Sequence, residues 1–267
     1  MGRRARMTHL GVIGGGGWLA GALLRPVLTD RIIKPADLVL SSRSGNISGF
    51  EAWPGVHMTT DNAILVDASD VILLSIRPAD IEALELDLRG RFVISVMAGV
   101  TVEEISDRFG AQRIVRAMPN ACAEQRLSFT PWFATRDVRR SELDFARRFF
   151  AASGREHVIS GEYELDYFTA LTGSGPAFPA LMADAMIRHA IESGIDPDTA
   201  DIAVRQLFLG AATQMAGIAQ TPADIVELFM EYRGTTAAGL SAMVEADLAH
   251  AVFKGLTAAR RKAHRSD

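Results

Sequence analysis

The chain has 267 residues, 48% of them hydrophobic and 22% charged, and a formal net charge of −4. This is the composition of a soluble globular protein long enough for two domains with a proper core. Mild acidity leaves no electrostatic footprint for nucleic acid, and no apolar run approaches the roughly 20 residues that a membrane span needs, so neither nucleic acid nor membrane is an expected partner.

The N-terminal "MGRRARMTHLGVIGG" places three Arg before an apolar segment, as a signal peptide would, but that segment is Gly-rich and continues as an amphipathic pattern. The first seven residues read as a frayed, solvated leader. Cys122 is the single cysteine and excludes an intrachain disulfide; it reads as a small buried residue, with no cationic neighbour or base to make it a nucleophile. The six His show no metal-ligand spacing, so no metal is expected, and a reducing cytoplasm is the expected location.

From Leu10 to about Ser160, short apolar runs alternate with helix-compatible stretches. "THLGVIG" (8–14), "DLVLSS" (37–42), "DVILLSI" (70–76), "RFVISVM" (91–97) and "RIVRAM" (113–118) are each strand-length and bounded by turn or polar residues. Their hydrophobicity is continuous rather than alternating, which predicts strands buried on both faces of a parallel, doubly wound α/β sheet. "GWLAGALLRPVL" and "TVEEISDRF" supply helices between them, whereas "SGNISGFEAWPGVHM" has too many Gly, Ser and Pro for a good crossover helix and predicts a loop or a short, poor helix.

Beyond about residue 160 the chain is rich in Ala, Leu and Met with few strand formers, which predicts an all-α second domain. The expected domains are therefore 1–160 and 161–267. Asp196 before Pro197 and Thr221 before Pro222 each match an N-cap followed by Pro at the first helical position. The terminal "AARRKAHRSD" is basic, which suits a helix C-terminus and otherwise a solvated tail.

The first strand runs directly into "GGGGWLAGAL", which reads Gly14-x-Gly16-x-x-x-Ala20. Glycines between a strand and a helix let the backbone turn sharply and approach a pyrophosphate, which the positive end of the helix then stabilises. A dinucleotide site is expected there. The second strand ends "LVLSSRS", with Ser42 and Arg43 and no acid to meet a ribose 2′-hydroxyl. Hydroxyls and a guanidinium suit a 2′-phosphate, so NADPH is expected in preference to NADH.

"TTDN", "LLSIRP", "SVMAGVT", "RAMPN", "TALTGSGPAF" and "RGTTAAGL" occur in this order, and with them the chain resembles the pyrroline-5-carboxylate reductase family from about Leu10 to Ala259. The resemblance implies a Rossmann domain, a helical domain that interlaces with its partner in a homodimer with higher oligomers left open, and NAD(P)H-dependent reduction of a cyclic imine, the step that yields proline. Carried over by position, it places Gly14, Gly15, Gly16, Gly17 and Trp18 at the pyrophosphate and Asn62 on the adenosine side. Ser75, Ile76, Arg77 and Pro78 fall at the ribose and nicotinamide, while Gly99 of "MAG" and Asn120 of "MPN" shape the nicotinamide pocket. The β-hydroxyacid dehydrogenases share the two-domain plan but carry a catalytic Lys in the helix after their own Gly-x-Gly turn. "GSGPAFPALMADAM" contains no Lys.

Reducing a protonated imine asks the protein mainly to position the hydride donor and exclude water. A donor near the imine nitrogen and a cradle for the substrate carboxylate are also needed. "EYRGTTAAG" (231–239) is suited to both: Gly234 allows an unusual backbone angle, and Thr235 and Thr236 begin a helix whose free N–H groups attract an anion. In the family this loop has that task, with Thr236 the residue near the imine nitrogen, so Thr236 is the candidate catalytic residue and Arg233, Gly234, Thr235 and Thr236 the substrate contacts. The family usually reads Ser-Pro-Gly-Gly-Thr-Thr here, whereas this chain has Glu231, Tyr232 and Arg233 before Gly234. Further departures are Gly17 and Trp18 in the glycine turn and Glu124, Gln125 and Arg126 after "MPN"; apart from the turn, these changes fall where the resemblance places substrate. Arg233 has three readings, as a bidentate carboxylate ligand, a partner for Glu231, or a filler of space left by a smaller ligand. The functional alternatives are reduction of pyrroline-5-carboxylate itself, reduction of a different cyclic imine, and NADPH binding without catalysis.

Overall fold

A computed structural model describes residues 9–45 and 48–263. The expected solvated leader and the last four residues of the basic tail lie outside the described residues. Cα packing divides the chain into two compact units, one running to Ser174 and including the chain's end from Ala259, the other Gly175–Ala258.

The first unit is built on eight strands: β1 (Leu10–Ile13), β2 (Leu38–Ser41), β3 (His57–Thr59), β4 (Val71–Leu74), β5 (Phe92–Ser95), β6 (Arg113–Ala117), β7 (Ser128–Ala134) and β8 (Gly154–Val158). They form one sheet in the order β3-β2-β1-β4-β5-β6-β7-β8. β1 pairs in parallel with both β2 and β4, Val12 lying opposite Leu40 on one side and Leu73 on the other. The sequence runs that predict strands are β1, β2, β4, β5 and β6, all parallel to one another.

Parallel order stops at β7, which pairs antiparallel with β6 through Val115 opposite Ala134. The connection between them is a 3-10 turn, Ala121–Gln125. It is too short for the crossover of a dozen or more residues that a parallel partner requires, so the chain reverses. β8 then pairs in parallel with β7 after a helical crossover. The all-parallel expectation therefore holds for the six strands β1 to β6, and the sheet is mixed at its far edge.

Helices α1 (Trp18–Thr29), α2 (Asn62–Asp67), α3 (Val102–Phe109), α4 (Arg140–Ala151) and α5 (Glu164–Phe168) complete this unit, α5 passing into a π-helical turn over Thr169–Gly173. Successive strand residues face opposite sides. Val12, Leu73 and Ile94 pack with Leu23 and Leu24 of α1 and Phe149 of α4, while Ile13, Ile72 and Val93 pack with Leu65 of α2 and Ile105 of α3. Two apolar layers on one sheet explain the continuous hydrophobicity of the strands. The described residues of the stretch 44–58 hold turns and then β3, with Phe50 buried in the first layer.

The second unit is helical: α6 (Ala177–Glu192), α7 (Pro197–Gly217), α8 (Pro222–Glu231), α9 (Thr235–Glu245), and α10 (Leu248–Ala263), whose last turn belongs to the first unit. Asp196 caps α7 by accepting from Thr199 N at 3.0 Å. Thr221 caps α8, with Asp224 accepting from Thr221 N at 2.7 Å. Among the described residues of Gly175–Ala258, only Ala200, Val204 and Ala237 are buried, and Leu181, Ile202, Leu209, Leu228 and Phe253 are more than 60% exposed. No helix among the described residues is long and apolar enough to cross a membrane.

Candidate functional site

The turn after β1 is fixed by the sheet. Gly14 N and Gly15 N both donate to Ser41 O, at 3.2 and 2.8 Å, which ties the turn to the C-terminal end of β2. Gly14 has φ 86°, and a Cβ there would overlap the Ser75 carbonyl beyond β4. Gly17 N closes the turn onto Gly14 O at 2.9 Å and Gly17 stands as N-cap of α1, where no side chain caps the helix. The first N–H groups of α1 thus remain open at the C-terminal edge of the parallel strands, the place where an open α/β sheet binds its ligand.

A cleft of about 590 Å³ lies there. Its lining includes Gly14, Gly16, Gly17, Ser42, Arg43, Asn62, Ser75, Ile76 and Arg77, nine of the positions that the sequence proposes for a cofactor. Asn62 starts α2, which Asp61 caps, and Ser41 Oγ donates to Asn62 Oδ1 at 2.7 Å, fixing the carboxamide against the end of β2.

One end of the cleft has the chemistry of a phosphate site. Ser42 Oγ is buried without a hydrogen-bond partner among the described residues and lies on the lining beside Arg43 and Ser44. A buried hydroxyl without a partner costs free energy that a ligand oxygen would recover. The open backbone turn, together with an unsatisfied hydroxyl beside a guanidinium, fits a dinucleotide that carries a 2′-phosphate. Asp80, which sequence reading leaves out, also lines this end; it accepts from Arg77 Nε at 3.1 Å and Nη2 at 3.4 Å, and its Oδ1 lies 3.8 Å from Arg43 Nη1. The Arg77 hydrogen bond and the charges of both arginines outweigh desolvation and keep this carboxyl below its ordinary range. Locally, "RPAD" reads only as a Pro-started 3-10 turn with an acid in its first turn. The contact to Arg43, however, is tertiary.

The other proposed cofactor positions do not line the cleft. Gly15 faces the core, where a Cβ would stand 2.8 Å from Leu40 Cβ. Pro78 opens the 3-10 turn Pro78–Ala83, and Gly99 is half-buried with φ 70°. Asn120 is used internally: its Oδ1 accepts from Cys122 N at 2.9 Å, and its Nδ2 donates to Thr172 O at 2.9 Å. Cys122 itself is half-buried rather than buried.

The side chains of Trp18, Glu124 and Arg126 are engaged within the first unit. Glu124 accepts from Arg25 Nη2 at 3.1 Å and from Trp18 Nε1 at 3.4 Å, while Arg126 Nη1 donates to Asp30 at 2.9 Å. The unusual residues after "MPN" strap their turn to α1.

In the second unit, α8 ends at Glu231, and Arg233 follows with φ 53°, its N–H donating to Met230 O at 3.2 Å. This is the left-handed position after a helix that Gly or Asn usually occupies. Gly234, credited from sequence with an unusual angle, has φ −92° and ψ −160°, an extended conformation open to any residue; the strained residue is Arg233. α9 begins at Thr235 with no side-chain cap, so Thr235, Thr236 and Ala237 offer open N–H groups, and both Thr are exposed. Among the described residues Arg233 makes no ion pair with Glu231, which removes that reading of it.

Residues 162–266 match the family model described as pyrroline-5-carboxylate reductase dimerisation, and residues 9–99 match NADP oxidoreductase coenzyme F420-dependent. Over 216 residues the chain is 31% identical to the pyrroline-5-carboxylate reductase of Vibrio alginolyticus, spanning 78% of this chain and 79% of that one. Its fold is similar to a pyrroline-5-carboxylate reductase from Coxiella burnetii, with TM-score 0.85, 28% identity and coverage of 97% and 98%. It is likewise similar to Plasmodium falciparum pyrroline carboxylate reductase with NADP bound, with TM-score 0.84, 21% identity and coverage of 96% and 97%.

Proposed function

Since this chain belongs to the pyrroline-5-carboxylate reductase family, we propose that it catalyses the NADPH-dependent reduction of 1-pyrroline-5-carboxylate to proline. The observation that carries this reading is the cleft at the strand ends, with an uncapped helix at the glycine turn and the partnerless Ser42 hydroxyl beside Arg43. NADPH held at the glycine turn, Ser42 and Arg43 would supply a hydride for the imine carbon, with the C=N electron pair passing to a nitrogen that already carries its proton. The protein's own work is to hold and orient.

We assign the pyrophosphate to the open N–H groups of α1 and the turn at Gly14, Gly16 and Gly17. Ser42 and Arg43 take the 2′-phosphate, and Asn62 the adenosine ribose. Pro78, Gly99 and Asn120 act by shaping the turns around the cofactor rather than by lining the cleft. Thr235 and Thr236 present N–H groups to the substrate carboxylate and Thr236 its hydroxyl to the imine nitrogen, with Arg233 as a second carboxylate ligand. The division of labour is then cofactor to 1–160 and substrate and self-association to 161–267. Apolar side chains left exposed on α6 to α10 support assembly of two copies through these helices.

NADPH oxidation against a panel of cyclic imines tests the reading. Turnover of pyrroline-5-carboxylate is expected, with Thr236→Ala lowering kcat by about 100-fold and leaving the NADPH Kd unchanged. No oxidation of NADPH by any imine at high enzyme concentration would leave cofactor binding without catalysis. A second reading keeps the chemistry and changes the imine; Arg233 held in a left-handed conformation after α8, with Tyr232 86% exposed beside it, favours it. It predicts weak turnover of pyrroline-5-carboxylate and faster turnover of a ring of different size or substitution.

A further inference from the structure

Asp80 touches both guanidinium groups of the cleft. It holds Arg77 through two hydrogen bonds and stands 3.8 Å from Arg43, which follows the end of β2. A carboxylate shared by the two places Arg77 at the same end of the cleft as Arg43, away from the nicotinamide end to which its position in "SIRP" points. Asp80 is the more enclosed member of the trio, 29% exposed against 75% for Arg77 and 84% for Arg43. The two cations can swing toward a ligand while the acid stays on the floor of the turn, anchored by Asp80 N donating to Arg77 O at 2.9 Å.

We propose that Arg43, Asp80 and Arg77 form one selectivity device in which both arginines receive the 2′-phosphate of NADPH and Asp80, their counter-ion in its absence, limits the preference for phosphate. This rests on the cofactor reading given above. The charges are two positive and one negative. A 2′-phosphate must compete with Asp80 for both guanidinium groups and is repelled by it, while a 2′-hydroxyl can donate to the same carboxylate. Asp80 therefore does from the turn after β4 what an acid at the end of β2 does elsewhere: it keeps the unphosphorylated cofactor usable in a site otherwise built for phosphate. The carboxyl stays ionised, because Arg77 and Arg43 hold it below its ordinary range.

Calorimetric titration with adenosine 2′,5′-bisphosphate and with ADP separates the two ends of the cofactor without any turnover. Wild-type protein is expected to bind the 2′-phosphorylated probe more tightly. Arg77→Met should weaken that probe roughly tenfold and leave ADP within about twofold, as loss of one bidentate phosphate contact does. Asp80→Asn should tighten the 2′-phosphorylated probe by roughly threefold to tenfold and weaken ADP, with the gain shrinking as salt is raised. Equal weakening of both probes by Arg77→Met would put Arg77 at the pyrophosphate, and an unchanged ratio in Asp80→Asn would remove Asp80 from selectivity; either overturns the proposal while the cofactor site stands. Failure of wild-type protein to bind either probe would instead sink the cofactor reading, and this device with it.

Discussion

Two turns in this molecule each place a glycine just before a helix, and they are built differently. The turn from Gly14 to Trp18 is held by β2 and by its own Gly17-to-Gly14 hydrogen bond, and the Ser75 carbonyl leaves no room for a side chain at Gly14, so its shape is dictated by the sheet around it. The turn from Glu231 to Thr236 hangs between two exposed helices, and its one unusual angle falls on Arg233. Glycine is a necessity in the first and a convenience in the second. What the two share is an uncapped helix start, which leaves N–H groups open to an anion.

The largest contrast is expected from Gly14→Ala. A Cβ at φ 86° that overlaps a carbonyl should cost about 4 kcal/mol in urea unfolding and reduce NADPH binding by more than roughly 100-fold. Near-normal NADPH affinity in that variant would mean that the sheet does not dictate the turn. Next comes Glu162→Gln, which probes how tightly the first unit is wired. Arg116 on β6 is 3% exposed, donates from Nη1 to Glu162 Oε1 at 2.5 Å, and leaves its buried Nη2 without a partner among the described residues. Removing the carboxylate charge should cost about 3 kcal/mol of stability, and a loss below about 1 would show that water already serves the guanidinium.

Arg233→Gly acts in the opposite direction. Releasing a non-glycine residue from the left-handed region should stabilise the chain by about 1 kcal/mol while raising the substrate KM roughly tenfold, as the proposed role of carboxylate ligand requires. Stabilisation without any change in KM would make Arg233 a spectator. Gly234→Ala should be the mildest, about 0.5 kcal/mol, since the backbone is extended and the new Cβ would meet only the Tyr232 ring at 3.3 Å. A loss of several kcal/mol there would erase the distinction between the two turns.

What sequence could show follows the same division. β1, β2, β4, β5 and β6 are legible because burial on both faces writes an unbroken apolar run. β7 is not: Pro131 interrupts "SFTPWFA", and a proline argues against an inner strand, yet its missing N–H is tolerated here and its carbonyl accepts from Met118 N at 3.0 Å. β8, "GREHV", is a mostly exposed edge and carries no apolar signature. The glycine turn and Arg43 could be read locally, because their chemistry lies in adjacent residues. Asp80 could not, since its meaning comes from an arginine on another strand's end. Glu124 and Arg126 looked like substrate residues by position, but their partners on α1 are visible only in three dimensions. The left-handed angle of Arg233 has no local sequence signal, since Gly or Asn usually takes that position.

The helical unit carries a last consequence. With only Ala200, Val204 and Ala237 buried among the described residues of Gly175–Ala258, these helices have little interior of their own, and the match of residues 162–266 to a dimerisation model supports the proposal that self-association completes them. The turn at Thr236 would then exist only in the assembled protein, and dilution should silence catalysis before it loosens the cofactor cleft. In a cell making two versions of this chain, a defect in α10 of one would spread to its intact partner, making the loss dominant.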